Sequence, residues 1–370
     1  MESIKIICSE LVRVMYDGGV LAGQTRTMPV LDNVCITTKD NRIRVESSDS
    51  ANYVRSYGIC ETTADMSFCV NAKEFASYID LINDENILIN YDSEKKQLII
   101  EHASGEVKLP TISSDEFPVM KPIKETTKIE MPGETFAGWL KKAGNFTLKS
   151  DFGAVLEGIY IYANSKFIGV CGGEHSQIFT ARISNIDNIP DFSVVLPKIS
   201  ATIMARMCAN AKKVTLVQDE NALYIRTDNT VVYSTLLSMK YPNVDSLFKQ
   251  MSQRQVYIDK TTLLQAIKRI ESQTVKDEES LHLFCTGSVL ELSYDVISEH
   301  SKYLRESVPC EGCPFDDVIV NIKRIKNILS NYSGEKVLLY HDNSERSPFF
   351  FESRYNDSLE LFLLAVMIKQ

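Results

Sequence analysis

The chain has 370 residues, with 40 Lys+Arg against 49 Asp+Glu and a formal net charge of −9. Apolar residues make up 44% and charged residues 24%, which is ordinary for a globular protein and excludes rod-like, collagenous and disordered classes. No apolar run reaches the ~18–20 residues that a membrane-spanning helix needs, and the acidic balance by itself argues against a nucleic-acid partner.

Taken in chain order, the elements repeat. A helix is expected over residues 5–16, followed by two alternating strands in Val30–Ser50. A short β-rich run, FCV, then leads into a helix from Asn71 to Ile82, with Asn71 as its N-cap. A strand set beginning ILINYD at residue 87 ends the first copy. The same order returns with a helix over 132–148, paired strands in Val155–His175, a helix from Pro197 to Ala211 and strands from residue 213. It returns again with a helix over 260–273, strands in 281–295, a helix from Asn321 to Leu329 and strands from 336. Val30–Ser50 lies over Val155–His175 without a gap at an offset of 125 residues, and the third copy follows 122 further on. The chain is therefore expected to be α+β, with three repeated domains at 1–124, 125–250 and 251–370.

The usual chemistry is missing. HExxH, GxSxG and GxxxxGK[ST] patterns do not occur, and the five histidines are scattered. Nine cysteines in a chain without an evident export signal read as reduced thiols, most of them small hydrophobes within strands and helices. Cys310 and Cys313 form a CxxC with no second ligand pair for zinc. No metal, cofactor or catalytic residue is assigned.

Charge is segregated along the repeat. The six helix segments, with short flanks, carry +1, −2, +2, +4, +1 and +3, so all other residues together carry −18. Lys141, Lys142, Lys198, Arg206, Lys212, Lys268, Lys323, Arg324 and Lys326 fall on or beside these helices. They are candidates for contacts to phosphate that read no bases. The second helix, at −2, departs from this pattern.

Six motifs in order make a resemblance specific. They are RTMPVLDNV (Arg26–Val34), LPTISSDEFPVM (Leu109–Met120), VLEGIYIY (Val155–Tyr162), VVLPK (Val194–Lys198), YPNV (Tyr241–Val244) and FLLAV (Phe362–Val366). Along essentially its whole length the chain resembles the bacterial DNA polymerase III β subunit family, the β sliding clamps. The resemblance implies three clamp domains of two helices on antiparallel sheets, and two protomers joined head to tail in a six-domain ring. It implies a cytoplasmic, non-catalytic processivity factor that encircles double-stranded DNA and is loaded by a clamp loader. It adds Arg26 to the DNA-facing candidates.

The resemblance also implies a pocket for short peptides of the polymerase III catalytic subunit and the loader. Carried over by motif, it comprises Leu156, Gly172, His175, Ser176, Gln177, Pro242, Ser246, Leu247, Leu364, Ala365, Val366 and Met367. Here the sequence departs from the family. The usual T-D-G-H-R-L reads Gly172-Gly173-Glu174-His175-Ser176-Gln177, and the tail carries Ala365 and Met367 in place of Pro and Arg. A clamp-like paralogue with altered partners is therefore the alternative. An unrelated enzyme using Glu174, His175 and Cys171 is a third reading, made awkward because adjacent strand residues point to opposite faces.

Overall fold

The computed structural model describes residues 2–25, 28–122, 127–147, 155–184, 189–275, 279–296, 302–344 and 346–367. The chain begins with β1 (Glu2–Ile7), α1 (Cys8–Gly18), β2 (Asn33–Lys39), β3 (Arg42–Ser48), β4 (Asn52–Ile59), β5 (Glu61–Thr62), β6 (Met66–Asn71), α2 (Ala72–Ile79), β7 (Asn86–Asp92), β8 (Gln97–His102) and β9 (Gly105–Ser113). The second run is β10 (Thr127–Met131), α3 (Gly133–Gly144), β11 (Gly158–Asn164), β12 (Phe167–Gly173), β13 (Gln177–Ser184), β14 (Phe192–Pro197), α4 (Lys198–Cys208), β15 (Val214–Asp219), β16 (Ala222–Arg226) and β17 (Thr230–Thr235). A four-residue α5 (Asp245–Phe248) precedes the third. That run is β18 (Gln255–Asp259), α6 (Lys260–Glu271), β19 (Ser280–Cys285), β20 (Val289–Val296), β21 (Lys302–Gly312), β22 (Phe315–Asn321), α7 (Ile322–Asn331), β23 (Lys336–Tyr340), β24 (Phe349–Tyr355) and β25 (Ser358–Leu364). Apart from β5, the three runs have the same order.

The repetition extends to strand register. Ile36 faces Val45, Ile161 faces Val170, and Leu283 faces Leu292. These are the positions that the sequence offsets superpose. The first helix of each run also buries the same face. Leu11, Phe136 and Leu263 occupy one equivalent position; Val14, Trp139 and Ala266 the next; Met15, Leu140 and Ile267 another. All are buried, as a helical period of 3.6 requires of one stripe. Truncating Trp139 to alanine would cost about 3–5 kcal/mol.

One expected element differs. The helix anticipated over 5–16 starts only at Cys8, because residues 2–7 form β1, paired with β7 through Ile4–Ile89 and Ile6–Ile87. Ile4 and Ile6 are buried with period two, and the ladder outweighs the helical spacing that continues from them. The other five helices fall where expected: α2, α3, α4 and α6 are shorter, and α7 runs two residues further, to Asn331. Asn71 and Asn321 cap α2 and α7 with side-chain oxygens, accepting from Glu74 N at 3.0 Å and from Lys323 N and Arg324 N at 3.1 Å.

The strands form two large antiparallel sheets. The chain divides into two compact units, Met1–Ala137 with Thr202–Leu236, and Gly138–Ala201 with Leu237–Gln370. Each unit carries one sheet. In the first, the order is β10-β15-β16-β17-β4-β3-β2-β6-β9-β8-β7-β1-β5. In the second, it is β14-β11-β12-β13-β25-β24-β23-β18-β21-β20-β19-β22. Strands of different runs therefore join edge to edge, β17 with β4 and β25 with β13.

Candidate partner groove and cationic helices

Within the second unit, a buried cluster of aromatic and aliphatic side chains underlies the candidate peptide site. Tyr162, Cys171, Val195, Tyr241 and Val244 are buried together, with Leu156, Tyr160, Phe167, Ile178 and Leu237 packed against them. The rings of Tyr160 and Tyr241 stack at 4.9 Å, and those of Tyr160 and Tyr162 at 4.8 Å. Such offset stacks add stability beyond area burial. Burial pushes the hydroxyls of Tyr162 and Tyr241 well above the ordinary tyrosine pKa, so both stay protonated. Tyr162 Oη donates to Asp245 Oδ1 at 3.4 Å, which ties α5 to the cluster. The same helix presents Leu247, 37% exposed, while its Phe248 meets Phe350 edge-on at 5.9 Å. Pro242 and Ser246 are exposed beside it, and Ser246 Oγ donates to Asn243 O at 2.7 Å.

A second group gathers around the turn between β12 and β13. Gly172 is required there, since a Cβ would lie 2.2 Å from the carbonyl oxygen of Ala143 on α3. Glu174 N donates to Gln177 O at 2.9 Å and closes the turn. His175 is exposed at its tip and Ser176 is half-buried. The Gln177 side chain is buried, and its Oε1 accepts from Asn327 Nδ2 at 3.2 Å. Glu174 forms an ion pair with Arg324 of α7.

The tail runs beside this turn because β25 pairs with β13, Leu364 opposite Gln177. Ala365 N donates to Ser176 O at 2.8 Å, and Met367 N to Ile319 O at 2.7 Å. Leu364 is buried, Ala365 and Val366 are half-buried, and Met367 is exposed. The two groups of candidates are linked through Phe350, whose strand partner is Leu363. Arg324, Asn327 and the tyrosine ladder were not foreseen as parts of this region. Only the alternation of Tyr160 and Tyr162 in VLEGIYIY hinted at the ladder.

The basic candidates separate into two kinds. Lys141, Lys212 and Lys268 are exposed, with no ion-pair partner among the described residues, and Lys198 is half-buried at the start of α4. Arg206 lies over the Tyr16 ring at 3.6 Å and donates to Tyr16 O at 2.9 Å, a cation–π stack on α1. Others are matched by acids. Lys323 pairs with Glu279 and Arg324 with Glu174, while Lys326 Nζ sits 2.6 Å from Glu271 Oε2. Lys142 turns inward to the fully buried Glu360 and donates to Ser333 Oγ at 2.6 Å. Arg26 lies outside the described residues.

Residues 17–121 match the family model for the N-terminal domain of the DNA polymerase III beta subunit. A beta sliding clamp of Rickettsia bellii is 21% identical over 341 residues, covering 91% of this chain and 86% of the relative. That of Bacillus subtilis is 23% identical over 271 residues, covering 70% and 71%. The chain is similar to the β sliding clamps over most of its length. Its fold agrees: a solved sliding clamp from Pseudomonas aeruginosa superposes with a TM-score of 0.90 at 14% identity, over 100% of both chains. At identities this low the topology is shared while most side chains differ.

The enzyme reading loses its residues. Cys171 is wholly buried, and burial drives its thiol pKa far up, which removes the thiolate a nucleophile needs. Glu174 is committed to Arg324. Among the described residues, no group of three or more His, Cys, Asp or Glu is placed to hold a metal ion. Cys310 Sγ lies 3.6 Å from Cys285 Sγ, and burial pushes the Cys310 thiol up to about 12. Among the described residues, no helix is long and apolar enough to cross a membrane.

Proposed function

We propose that the chain is a DNA sliding clamp of replication, working in the cytoplasm as a head-to-tail homodimer. Its three domains, 1–124, 125–250 and 251–370, would contribute to a six-domain ring around duplex DNA. The clamp acts as a tether for the replicative polymerase and catalyses no reaction. The observation that carries this reading is a repeated edge-to-edge junction. The last strand of the second run, β17, joins the third strand of the first run's hairpin set, β4. The last strand of the third run, β25, joins the corresponding strand of the second, β13. Val232 faces Val54 in one junction and Phe362 faces Phe179 in the other, which are equivalent positions. A head-to-tail contact that repeats with closing rotation generates a ring.

The cationic helices suit such a ring. A slider must bind the backbone equivalently at every register, which diffuse Lys and Arg contacts allow and base-specific contacts would prevent. We assign Lys141 and Lys212 to that role first, because both are exposed, and Arg206 with them, because it is exposed and its direct contacts are to Tyr16. Lys198 joins them by its place at the start of α4. Lys323, Arg324 and Lys326 are weaker contributors while their acids remain in place, and Arg26 stays a candidate on motif alone. Lys142 is better explained by Glu360.

The groove is the proposed seat of short peptides from the polymerase III catalytic subunit and the clamp loader. Apolar anchors on an aromatic floor, rimmed by backbone, are the chemistry such capture uses. The Glu174–Arg324 pair and the Gln177–Asn327 bond replace the family's usual side chains, so peptide preference is expected to differ.

Light scattering should give a mass near twice 41.8 kDa. After loading, the protein should stay on closed circular DNA and slide off once the circle is cut. A stable monomer, or equal loss from both DNA forms, would overturn the ring. Binding of a polymerase-tail peptide, followed by fluorescence polarisation, should weaken at least roughly tenfold in Leu247→Asp. Unchanged binding would remove α5 from the groove.

A further inference from the structure

The CxxC of the sequence, Cys310 to Cys313, serves no part of the groove or of the cationic helices, yet the fold gives it a specific neighbour. Cys285 ends β19, and its Sγ lies 3.6 Å from Cys310 Sγ, in van der Waals contact, although the two residues are 25 apart in the chain. In the sheet β20 lies between their strands, so the ladder alone does not bring them together. The tip of the β19–β20 hairpin does. Thr286 N donates to Val289 O at 3.0 Å and closes the turn, while Cys310 N donates to Ser288 O at 2.9 Å and Gly312 N to Gly287 O at 3.0 Å. β21 thus runs on past the hairpin and is bonded to the backbone of its turn.

Both backbones are held from further sides. Cys310 pairs with Ile258 of β18, and Cys313 N donates to Gln255 O at 2.9 Å. Gly312 is needed at this crossing, since a Cβ there would lie 2.2 Å from Gln255 O. Arg254 Nη2 donates to Pro314 O at 2.6 Å. On the other side Cys285 pairs with Phe315, and Gly287 N donates to the Cys285 sulfur at 3.4 Å, which fixes where the thiol points. Two anchored sulfurs in contact need to close by only about 1.5 Å to reach the length of a disulfide bond. Access is selective as well. Of the nine cysteines, seven are buried, and only Cys310 and Cys313 are half-buried.

We propose that Cys285 and Cys310 are a redox-sensitive pair, closed to a disulfide by a small organic disulfide and reopened by thiols, with Cys313 outside the bond. The oxidant meets Cys310, the half-buried partner. Cys310 gives its proton to solvent, its sulfur attacks the small disulfide, and one thiolate leaves and takes up a proton. A mixed disulfide on Cys310 results. Cys285 then loses its proton and attacks Cys310 Sγ, the mixed bond breaks, and the second small thiol leaves. Two electrons pass from the cysteine pair to one small disulfide, which becomes two thiols. Burial and the hydrogen bond with Cys285 push the Cys310 thiol up to about 12, so its thiolate is scarce at neutral pH and closure quickens as pH rises. A reducing compartment keeps the pair open, and sustained oxidation staples the hairpin tip to β21.

The test is disulfide mapping on the native full chain treated with excess glutathione disulfide at mildly alkaline pH. Free thiols are then alkylated in denaturant and the chain is digested with trypsin. Lys302 and Arg305 separate Cys285 from the other two cysteines, so the bond should show as two linked peptides. Fragmentation of these peptides should place the second sulfur on Cys310, and this result stands even where a variant fails to fold. The link should survive in Cys313→Ser. Oxidation should also raise Tm by about 5 °C, reversibly with dithiothreitol, because the bond closes a loop of the unfolded chain. The rise should be absent in Cys285→Ala. A bond between Cys310 and Cys313, or from Cys285 to Cys313, would overturn the pairing. So would a chain that ends as a glutathione adduct on Cys310 with Cys285 free, or one in which all three thiols are recovered unoxidised.

Discussion

Lys142→Met should destabilise the protein strongly, although Lys142 looks from sequence like a surface cation. Its ammonium pairs with Glu360, a carboxylate with no exposed surface, and Ser353 Oγ donates to the other carboxylate oxygen at 2.9 Å. Nearby, burial and the Lys142 charge hold the Lys260 pKa below the ordinary lysine value, and Lys260 Nζ donates to Tyr332 O at 2.6 Å. Lys260 is therefore already occupied and cannot replace the lost cation without giving up that bond. Breaking a buried pair by removing one partner costs about 3–5 kcal/mol, because the remaining charge is left uncompensated. For a cooperative unit of this size that is a fall in Tm of about 6 °C or more, measured by calorimetry. The double variant Lys142→Met with Glu360→Gln removes the stranded charge and keeps the serine bond, so it should recover most of the loss. Lys142→Met within about 0.5 kcal/mol of wild type would refute the buried-pair account. So would a double variant no better than the single. A change confined to the salt dependence of DNA binding would return Lys142 to the phosphate set.

Replacing Lys212 or Lys141 by alanine should lower the slope of log affinity for duplex DNA against log salt by about 0.9 for each phosphate no longer neutralised. Lys326→Ala, whose charge is matched by Glu271, should lower it less. Gly172→Ala should cost about 1–3 kcal/mol in urea unfolding, because the new methyl meets the Ala143 carbonyl and α3 or β12 must shift. His341 is buried, accepts at Nδ1 from Asn343 N at 3.1 Å and donates from Nε2 to Ser347 O at 3.2 Å. Burial lowers its pKa, so the unfolded chain takes up a proton first as pH falls. Stability should therefore decline below about pH 6.5, by at most ~1.4 kcal/mol per pH unit, and this component should vanish in His341→Gln.

Much of the fold was legible because its signals are local. The two-residue alternation in Ile36, Val45 and their counterparts fixes both strand identity and facing, and the helical stripe of Leu263, Ala266, Ile267 and Ile270 fixes a buried face. The start of the chain shows where locality fails. Ile4 and Ile6 carry strand alternation, but Cys8, Leu11 and Val14 follow without a turn, and only pairing with β7 decides the boundary. The joining of β17 to β4 was not readable, since it rests on backbone groups that every residue carries. In the groove, apolar positions transferred by motif, whereas the partners of Glu174 and Gln177 come from α7, about 150 residues away. Lys142 and Glu360 are separated by 218 residues, and no charge count along one helix can reveal such a pair.

The repeat also explains why charge pattern alone misplaces side chains. Three copies of one backbone present the same helix position three times, as Tyr16, Lys141 and Lys268, and the opposing position as Arg206, Ser330 and Asp80. Identical chemistry at all of these would let any run's edge join any other, as unprotected strand edges tend to do. The structure sets a guanidinium on an aromatic ring at the first of these pairs, Arg206 on Tyr16, whereas in the second unit the helices meet beside the equivalent positions, through Asn145 and Asn331.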